Sequence, residues 1–488
     1  MMRLLYLELE NFKNVEHGLI KLSEIPGDGL KRAGSCVTGI YGQNGSGKTS
    51  LVDALEIIRY LWIGMELDER VADCIAQGKE ALTIKLGFYI DGLIFNSNKR
   101  IAGHYAVKVA RGIKTVEVIY ESLSFKDTDS GEAMRSYYSF EKNDEIPRPE
   151  SLWKSVLPVK GDWRARFMVA KEVAQEMGCS ILFSPRLALL LPLRADNLKE
   201  QAKQKGKGSL HEKADRFFLF AEVLLLCKAF AADNLAVIPL SHHAVISLGL
   251  LNVITHGAGI LPTGGASLRN NVILSLTDPR MVSDEKYETI KQTEGTINKA
   301  LGALVPGLSF EARSLSEVVM DDGSPGRMVE CFSHRGDTVV PFRCESEGIK
   351  KIVTILIALI DVFSDPAACV VIDELDSGVF EFLLGEILEV IAEHGKGQLI
   401  FTAHNLIPLE VLSDKSIVFT TTNPKNRYIT FTGHRPTNNL RDQYLRAINL
   451  GGQAESIYEH TSKYEIDNAF YRAGKSLHDV RKSHSEDA

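Results

Sequence analysis

The 488-residue sequence predicts an α/β fold in which two distant segments contribute strands to one parallel sheet. Residues 36–41 form a short apolar strand that runs into a glycine-rich loop and an apolar helix, and residues 368–372 form a strand that ends in two acids. Between them, residues 82–125 alternate apolar and polar side chains, which is typical of antiparallel strands. We therefore predict a parallel sheet, an antiparallel β lobe and a compact, mainly helical insertion.

Composition limits the class of protein. Apolar residues make up 44% and charged residues 24%, the usual globular mix, which excludes wholesale disorder. The net charge of −7 excludes a protein that coats nucleic acid along its whole length. The 7 scattered cysteines form no CxxC pair, so we expect reduced thiols, no zinc site and a cytoplasmic location. No signal peptide and no membrane association are expected, because no apolar run is long enough.

The glycine-rich loop carries the strongest chemical signal. Residues 42–49 read GQNGSGKT, which matches the phosphate-binding motif GxxxxGK[ST] between a strand and a helix. Glycines let backbone N–H groups turn inward around a phosphate, and the helix N-terminus adds a partial positive charge. Lys48 can reach the β- and γ-phosphates, and the Thr49 hydroxyl can hold Mg²⁺. The residues expected to contact the nucleotide are Gly42, Asn44, Gly45, Ser46, Gly47, Lys48, Thr49 and Ser50.

A phosphate-binding loop needs a carboxylate to complete the Mg²⁺ shell, and the second apolar strand supplies one. This strand delivers Asp373 and Glu374 at its carboxyl end, as a Walker B element does. We expect Asp373 to hold Mg²⁺ through water and Glu374 to polarise the attacking water. An acidic turn after a core strand is the ordinary alternative, and its pairing with the phosphate loop disfavours it.

Three shorter features surround these acids. Ser346 suits the N-cap of an apolar helix, and Gly348 allows close backbone approach, so this helix start can receive a phosphate. Asp376 follows the two acids directly. His404 leaves the next strand, residues 398–402, where it can hydrogen-bond a γ-phosphate.

The order of these features resembles the ABC-type ATPase head, and more specifically the RecF/SMC/OLD-like group. The resemblance covers roughly residues 1–125 and 310–420, and it includes the opening motif LxLxNFKN with residues 11–13. It implies a P-loop NTPase fold, ATP as substrate with Mg²⁺, and ATP sandwiched in a head-to-tail dimer or higher oligomer. By the same resemblance Ser346 and Gly348 form the signature motif that contacts the partner's nucleotide. Asp376 would belong to the D-loop, His404 would be the switch histidine, and the catalytic residues would be Lys48, Glu374 and His404.

Several assignments leave alternatives open. The signature reads ESEG where transporters carry LSGGQ, and Ser346 also fits a plain helix N-cap. His404 also fits a structural histidine, and Gln77 is the only nearby candidate for a Q-loop glutamine although a surface glutamine is more ordinary. Arg335 can meet a phosphate or a partner, whereas a solvated turn arginine is the common case. The motif LGGQ at 450–453 follows the Walker B strand, so we interpret it as a C-terminal turn.

The positions of the two motif groups divide the chain into four predicted parts. We predict an N-terminal ATPase lobe, a mainly helical insertion, a C-terminal ATPase lobe and a C-terminal helical part with a frayed tail, at residues 1–146, 147–307, 308–435 and 436–488. The insertion lacks sustained heptads, so coiled-coil arms are not expected. The chain beyond the switch histidine is too short for a Toprim domain, so no nuclease activity is expected.

Two clusters in the insertion have an ordinary interpretation. The basic stretch 194–216 mixes lysine and arginine with acids and lacks interleaved aromatic residues, so we expect a mobile loop, with nucleic-acid contact as the less favoured alternative. His242, His243 and His256 lack carboxylate or cysteine partners at ligand spacing, so a metal site is disfavoured.

The function implied is an ATPase that works as a conformational switch. Stand-alone heads with a short C-terminus resemble the ATPase subunits of bacterial anti-phage modules of the Septu and PARIS types. That resemblance implies a sensor or scaffold that controls a separate effector protein, often a nuclease or toxin. The alternative is a RecF-like repair or recombination ATPase that clamps DNA. A transporter subunit is disfavoured by the signature and the large insertion.

Overall fold

The computed structural model describes residues 1–27, 29–30, 33–94, 97–112, 116–159, 161–205, 208–239, 245–247, 273–431, 440–451 and 453–486. The strands are β1 (Met2–Phe12), β2 (Val15–Lys21), β3 (Cys36–Tyr41), β4 (Ala81–Ile94), β5 (Ser97–Arg111), β6 (Val116–Asp127), β7 (Arg135–Glu141), β8 (Leu235–Ile238), β9 (Val245–Ser247), β10 (Ile273–Ser275), β11 (Arg280–Ser283), β12 (Leu308–Val319), β13 (Pro325–Arg335), β14 (Thr338–Pro341), β15 (Cys369–Ile372), β16 (Gln398–Ala403), β17 (Ile417–Thr420) and β18 (Tyr428–Ile429). The α-helices are α1 (Lys48–Ile63), α2 (Glu150–Val156), α3 (Trp163–Glu176), α4 (Pro185–Lys205), α5 (Ser209–Ala229), α6 (Asp284–Leu304), α7 (Glu347–Ser364), α8 (Glu381–His394), α9 (Pro408–Val411), α10 (Leu440–Leu450) and α11 (Lys463–Glu486).

The predicted parallel sheet is present, and it joins the two halves of the chain. Its strand order is β18-β17-β3-β16-β15-β8, and every pairing except β17–β18 is parallel. β15 and β16 are buried along their whole length, as strands covered on both faces are. The carboxyl ends of β3 and β15 therefore meet at one edge of the sheet, separated only by β16. The predicted α/β fold class is confirmed.

The alternating segment forms the predicted antiparallel lobe. Its sheet has the order β2-β1-β4-β5-β6-β7, with antiparallel pairing throughout. Helix α1 ties this lobe to the phosphate loop through Trp62, whose ring lies 5.7 Å from that of Phe88 and 5.6 Å from that of Tyr105. Burial of such large aromatic rings contributes strongly to core stability. The helix that follows the phosphate loop is thus anchored at its far end.

The middle segment is helical, as predicted, but it also contributes a strand to the parallel sheet. β8 follows α5 and a π-helical turn, and it pairs in parallel with the Walker B strand β15, with Leu235 opposite Cys369. Four apolar residues after an apolar helix cannot be distinguished from more helix by periodicity alone. The described part of residues 147–307 therefore contributes a strand to the parallel sheet as well as helices, and the domain boundaries stay a prediction.

The basic stretch 194–216 differs from the mobile loop that we expected. Most of it lies in α4 and α5, which pack against each other. Leu198 and Ala202 are buried at helical spacing, and the Lys199 ammonium lies 3.2 Å from the ring centroid of Phe218. Long basic side chains cover apolar surface with their stems, so a high charge count does not exclude a packed helix.

The end of the chain also differs from the expected frayed tail. α11 extends to Glu486, and Ile466, Phe470 and Leu477 recur on it at helical spacing. These apolar side chains remain exposed. The LGGQ motif begins at Leu450, the last residue of α10, and Gly451 has a left-handed backbone (φ 68°), which is a usual helix end. In the described part of the chain, no helix combines the length and apolar character needed to cross a membrane.

Three strands precede the signature helix, β12, β13 and β14, and they pair as antiparallel neighbours. Helix α7 then packs its apolar residues into the core beside the parallel sheet. Near its C-terminal end, the Asp361 carboxyl is 8% exposed, and its Oδ2 has no hydrogen-bond partner among the described residues. Burial, with a smaller contribution from Asp365, raises the pKa of Asp361 to about 8.

We predict that Asp361→Asn makes folding stability less dependent on pH. Because the pKa in the folded state lies above its unfolded value, the native protein loses stability as pH rises towards about 8, by about 1.4 kcal/mol per unit. The amide cannot ionise, so its advantage in melting temperature over the wild type should grow between about pH 5.5 and 8 and then level off. Thermal melts across this pH range measure the melting-temperature difference, and Asp321→Asn, at an exposed position, is the control. A melting-temperature difference that stays constant with pH would contradict the raised pKa of Asp361.

Candidate functional site

The phosphate loop encloses the side chain of Lys48. Gly45 (φ 75°) and Gly47 (φ 93°) adopt left-handed backbone conformations that favour glycine, which turns the loop around the start of α1. The buried Lys48 ammonium donates to the carbonyl oxygens of Gly42 at 2.9 Å and Gln43 at 3.0 Å. Its positive charge therefore lies at the centre of the loop, where the motif requires it.

The acids that follow β15 act on the charge of this lysine. Burial lowers the pKa of Lys48, and the charges of Glu374, Asp373 and Asp376 act in the opposite direction. Lys48 and the acids are about 325 positions apart in the chain, and the sheet brings them into electrostatic contact. The structure thus unites the two halves of the predicted site.

Asp373 has the features of a magnesium ligand. One carboxylate oxygen, Oδ1, accepts a hydrogen bond from the Thr402 hydroxyl at 2.6 Å. The other, Oδ2, is buried and has no hydrogen-bond partner among the residues described. A buried carboxylate oxygen is costly without a partner, and oxygen ligands of this kind suit Mg²⁺. With the exposed Thr49 at the start of α1, the residues present fit the ion that the phosphate loop implies.

Glu374 is held in an unusual backbone conformation. Its φ is 46°, in the left-handed region that non-glycine residues rarely adopt. The Thr402 hydroxyl oxygen accepts the Glu374 N–H at 2.8 Å, so the same side chain orients both acids. Backbone strain of this kind persists only where the surroundings enforce it, and it is common at functional sites.

The expected D-loop and switch residues are directly connected. The Asp376 Oδ2 accepts the backbone N–H groups of His404 at 2.8 Å and Asn405 at 2.6 Å. The carboxylate thereby ends strand β16 and fixes where His404 leaves it. The His404 side chain is exposed at this edge of the sheet. Its role towards a γ-phosphate stays a prediction.

The signature motif lies at the exposed start of α7. Ser346 is the N-cap, and its hydroxyl oxygen accepts the Ile349 N–H at 3.3 Å. The helix-capping contact that we gave as the alternative for this serine is therefore formed. A side chain on Gly348 would overlap the carbonyl oxygen of Gly378, which follows the acids. Glycine is therefore required here because two backbones touch. Contact with a partner's nucleotide stays a prediction.

Four residues that sequence reasoning missed hold the phosphate loop. The Ser46 and Thr420 hydroxyls lie 2.5 Å apart, and the Tyr428 hydroxyl donates to the carbonyl oxygen of Gly47 at 2.7 Å. The Asn14 amide donates to the Gly45 carbonyl, and Arg427 in turn donates to the Asn14 carbonyl oxygen at 2.6 Å. No local pattern marks these residues, because the β1–β2 turn and the β17–β18 hairpin reach the loop only in the folded chain.

Other candidates fall outside the site or outside the described residues. Gln77 is exposed in a turn before β4, and the structure does not test its role as a Q-loop glutamine. Arg335 ends β13 and forms an ion pair of 3.1 Å with Glu345, next to the signature serine. His242, His243 and His256 lie outside the described residues. Within the described ranges, no group of three or more His, Cys, Asp or Glu side chains has a metal-binding arrangement.

Comparisons with known proteins find distant structural neighbours only. No protein-family model matches the chain, and no curated protein matches it. The Smc head domain with an extended coiled coil bound to the C-terminal domain of ScpA, from Pyrococcus furiosus, is 14% identical, with 88% of this chain and 96% of that chain covered and a TM-score of 0.39. The Smc head domain with a coiled coil and joint from Pyrococcus yayanosii is 13% identical, with 92% and 100% covered and a TM-score of 0.38. The recombination mediator protein RecF-ATPrS of the RecFOR pathway is 12% identical, with 83% and 93% covered and a TM-score of 0.33. Similarities this distant carry no argument about the site.

The contact between Gly348 and Gly378 predicts a large effect of a single methyl group. Gly348→Ala should lower the free energy of unfolding by about 1–3 kcal/mol, because backbone must move to admit the Cβ. Gly295→Ala in α6 is the matched control, since nothing lies within 4 Å of its Cβ position. That change should raise the free energy of unfolding by about 0.5–1 kcal/mol. Denaturant unfolding measures both, and effects of the same sign would contradict the prediction.

Proposed function

We propose that this protein is an ATP-binding and ATP-hydrolysing head of the ABC type that acts as a conformational switch. The observation that carries the proposal is the convergence of Lys48 with Asp373 and Glu374 across β3, β16 and β15. A charged lysine inside a glycine-rich loop, facing two acids at the ends of parallel strands, suits binding and hydrolysis of a nucleoside triphosphate.

Each residue then has a defined task. The loop N–H groups and Lys48 bind the β- and γ-phosphates, and Thr49 and Asp373 hold Mg²⁺. The ion, when bound, neutralises charge on the phosphate oxygens. Glu374 accepts the proton of the attacking water, and its fixed backbone restricts where that carboxylate can lie. His404 donates a hydrogen bond to the γ-phosphate.

Several exposed features support the association of two heads. The signature serine and the loop residues Asn44 and Gly45 are exposed, although the next loop residues, Ser46 to Lys48, are buried. Beside the D-loop, Phe380 is 67% and Phe382 is 61% exposed, and their rings lie 5.5 Å apart. Exposed aromatic pairs next to functional loops are typical of interaction surfaces. We propose that a second head covers this surface when both heads bind ATP.

Glu374→Gln tests the ATP-dependent association. The variant should bind ATP·Mg²⁺ but not activate water, so it should accumulate as a dimer or a higher oligomer with hydrolysis reduced by about a hundredfold or more. Size-exclusion chromatography with light scattering, with and without ATP·Mg²⁺, measures the mass.

The control adds Lys48→Ala to the same variant, which removes the phosphate contact. It should remain monomeric under all conditions. If Glu374→Gln stays monomeric while fluorescence titration shows bound ATP, the association of heads is refuted.

For the biological role, we propose that the head controls a separate effector as a sensor or scaffold subunit of an anti-phage module. The exposed apolar face of α11 supports this role, because it offers a surface for a protein partner. The net charge of −7 also favours a protein partner over nucleic acid. The basic residues of α4 and α5 lie on packed helices and do not by themselves favour a DNA clamp.

The effector role and the DNA clamp differ in how DNA affects hydrolysis. We expect ATPase activity that is unchanged by double-stranded or single-stranded DNA at low salt, because no basic groove is required for an effector scaffold. The control neutralises Lys203, Lys205 and Lys207 together. DNA stimulation that disappears in this triple variant would favour the RecF-like clamp instead.

A further inference from the structure

We propose that Lys351 is a positioning residue that transmits engagement of the signature motif to the water-activating acids of the same head. This inference rests on the proposed function. It concerns a residue that neither the phosphate-loop motif nor the Walker B pattern includes. Lys351 lies five positions after the signature serine Ser346, on the first turns of α7.

The side chain of Lys351 connects α7 to the Walker B strand. Lys351 is 2% exposed, and its ammonium donates to the backbone carbonyl oxygen of Asp373 at 3.2 Å. A buried ammonium is costly without partners, so this contact and the surrounding charges must compensate its desolvation. The lysine therefore contacts the backbone of the expected magnesium ligand from α7.

The charges of the site acids act on this ammonium. Burial lowers the pKa of Lys351, while the charges of Asp373, Glu374 and Asp376 oppose that effect. The same three acids act on Lys48 from the phosphate loop. The same acids thus influence two buried lysines, one on the loop and one on the signature helix.

A second contact joins α7 to the same segment. The backbone of Gly348 touches the carbonyl oxygen of Gly378, so α7 meets the chain at both ends of residues 373–378. The middle of α7 is packed in the core, whereas Ser346 and Glu347 at its start are exposed beside the site. A displacement of that end by a partner's nucleotide must shift Gly378, Asp373 or both, because close-packed contacts do not absorb such movements.

Other buried lysines of this protein make only structural contacts. The test must therefore distinguish a structural role of Lys351 from a positioning role. Lys228 donates to the carbonyl oxygens of Ile63 at 2.6 Å and Phe183 at 3.1 Å, and burial lowers its pKa with only Cys179 acting in the opposite direction. Lys350, the neighbour of Lys351 on α7, is buried as well, but it pairs with Glu347 at 2.9 Å. Lys350 therefore supplies a matched control on the same helix, without a contact to the Walker B strand.

The test compares Lys351→Met with Lys350→Met in the full chain. If Lys351 positions the acids, Lys351→Met should lower kcat by about tenfold to a hundredfold at nearly unchanged KM for ATP, because misplacement affects the chemical step. Lys350→Met should stay within about threefold of the wild type in kcat. Lys351→Arg, which keeps the charge and a donor, should recover most of the lost kcat.

Lys351→Gln keeps a hydrogen-bond donor but removes the charge. Its kcat provides the comparison if the methionine variant does not fold. Equal losses in Lys351→Met and Lys350→Met, or a raised KM with unchanged kcat in either neutral variant of Lys351, would overturn the inference. The double variant Lys351→Met with Glu374→Gln should still associate with ATP·Mg²⁺. If Glu374→Gln alone fails to associate, the proposed function fails, whereas a normal kcat in Lys351→Gln defeats only the role of Lys351.

Discussion

The parallel pairing of β16 between β3 and β15 is the constraint on which the candidate site depends. Register places Phe401 opposite both Gly39 and Ile372, so β15 ends at the level of Gly39 and β3 continues two residues further to Tyr41. All three strands are almost wholly buried, and a shift in register would leave backbone groups unpaired away from water. The opposition of the Lys48 ammonium and the acids follows from this pairing.

Two parts of the protein contact the candidate site, the buried β17–β18 hairpin and helix α7, whose start is exposed. Thr420 in β17 and Tyr428 in β18 are buried and form hydrogen bonds with the phosphate loop. These bonds restrict the movement of the loop. Helix α7 is also packed, but its first residues are exposed and touch the segment after the acids. A rigid loop beside a packed helix whose start is exposed is an arrangement in which binding outside the head can alter geometry inside it.

Sequence periodicity predicted the antiparallel lobe and the long helices because their patterns repeat over many residues. It failed for β8, whose four apolar residues continue the apolar run of α5. It also failed for the basic stretch 194–216, where charge count suggested a loop although apolar residues recur at helical spacing. In each case, the missing information was which neighbour the segment packs against.

The sequence alone determined the phosphate loop, the paired acids after β15 and the order of the motifs, since glycine conformations and strand–helix alternation are local properties. Only the tertiary structure showed that Thr402 orients both acids, that Asp376 ends the switch strand, and that Lys351 reaches the Walker B backbone. These contacts join residues on different elements. Their geometry depends on how buried strands and helices pack, which no spacing along the chain encodes.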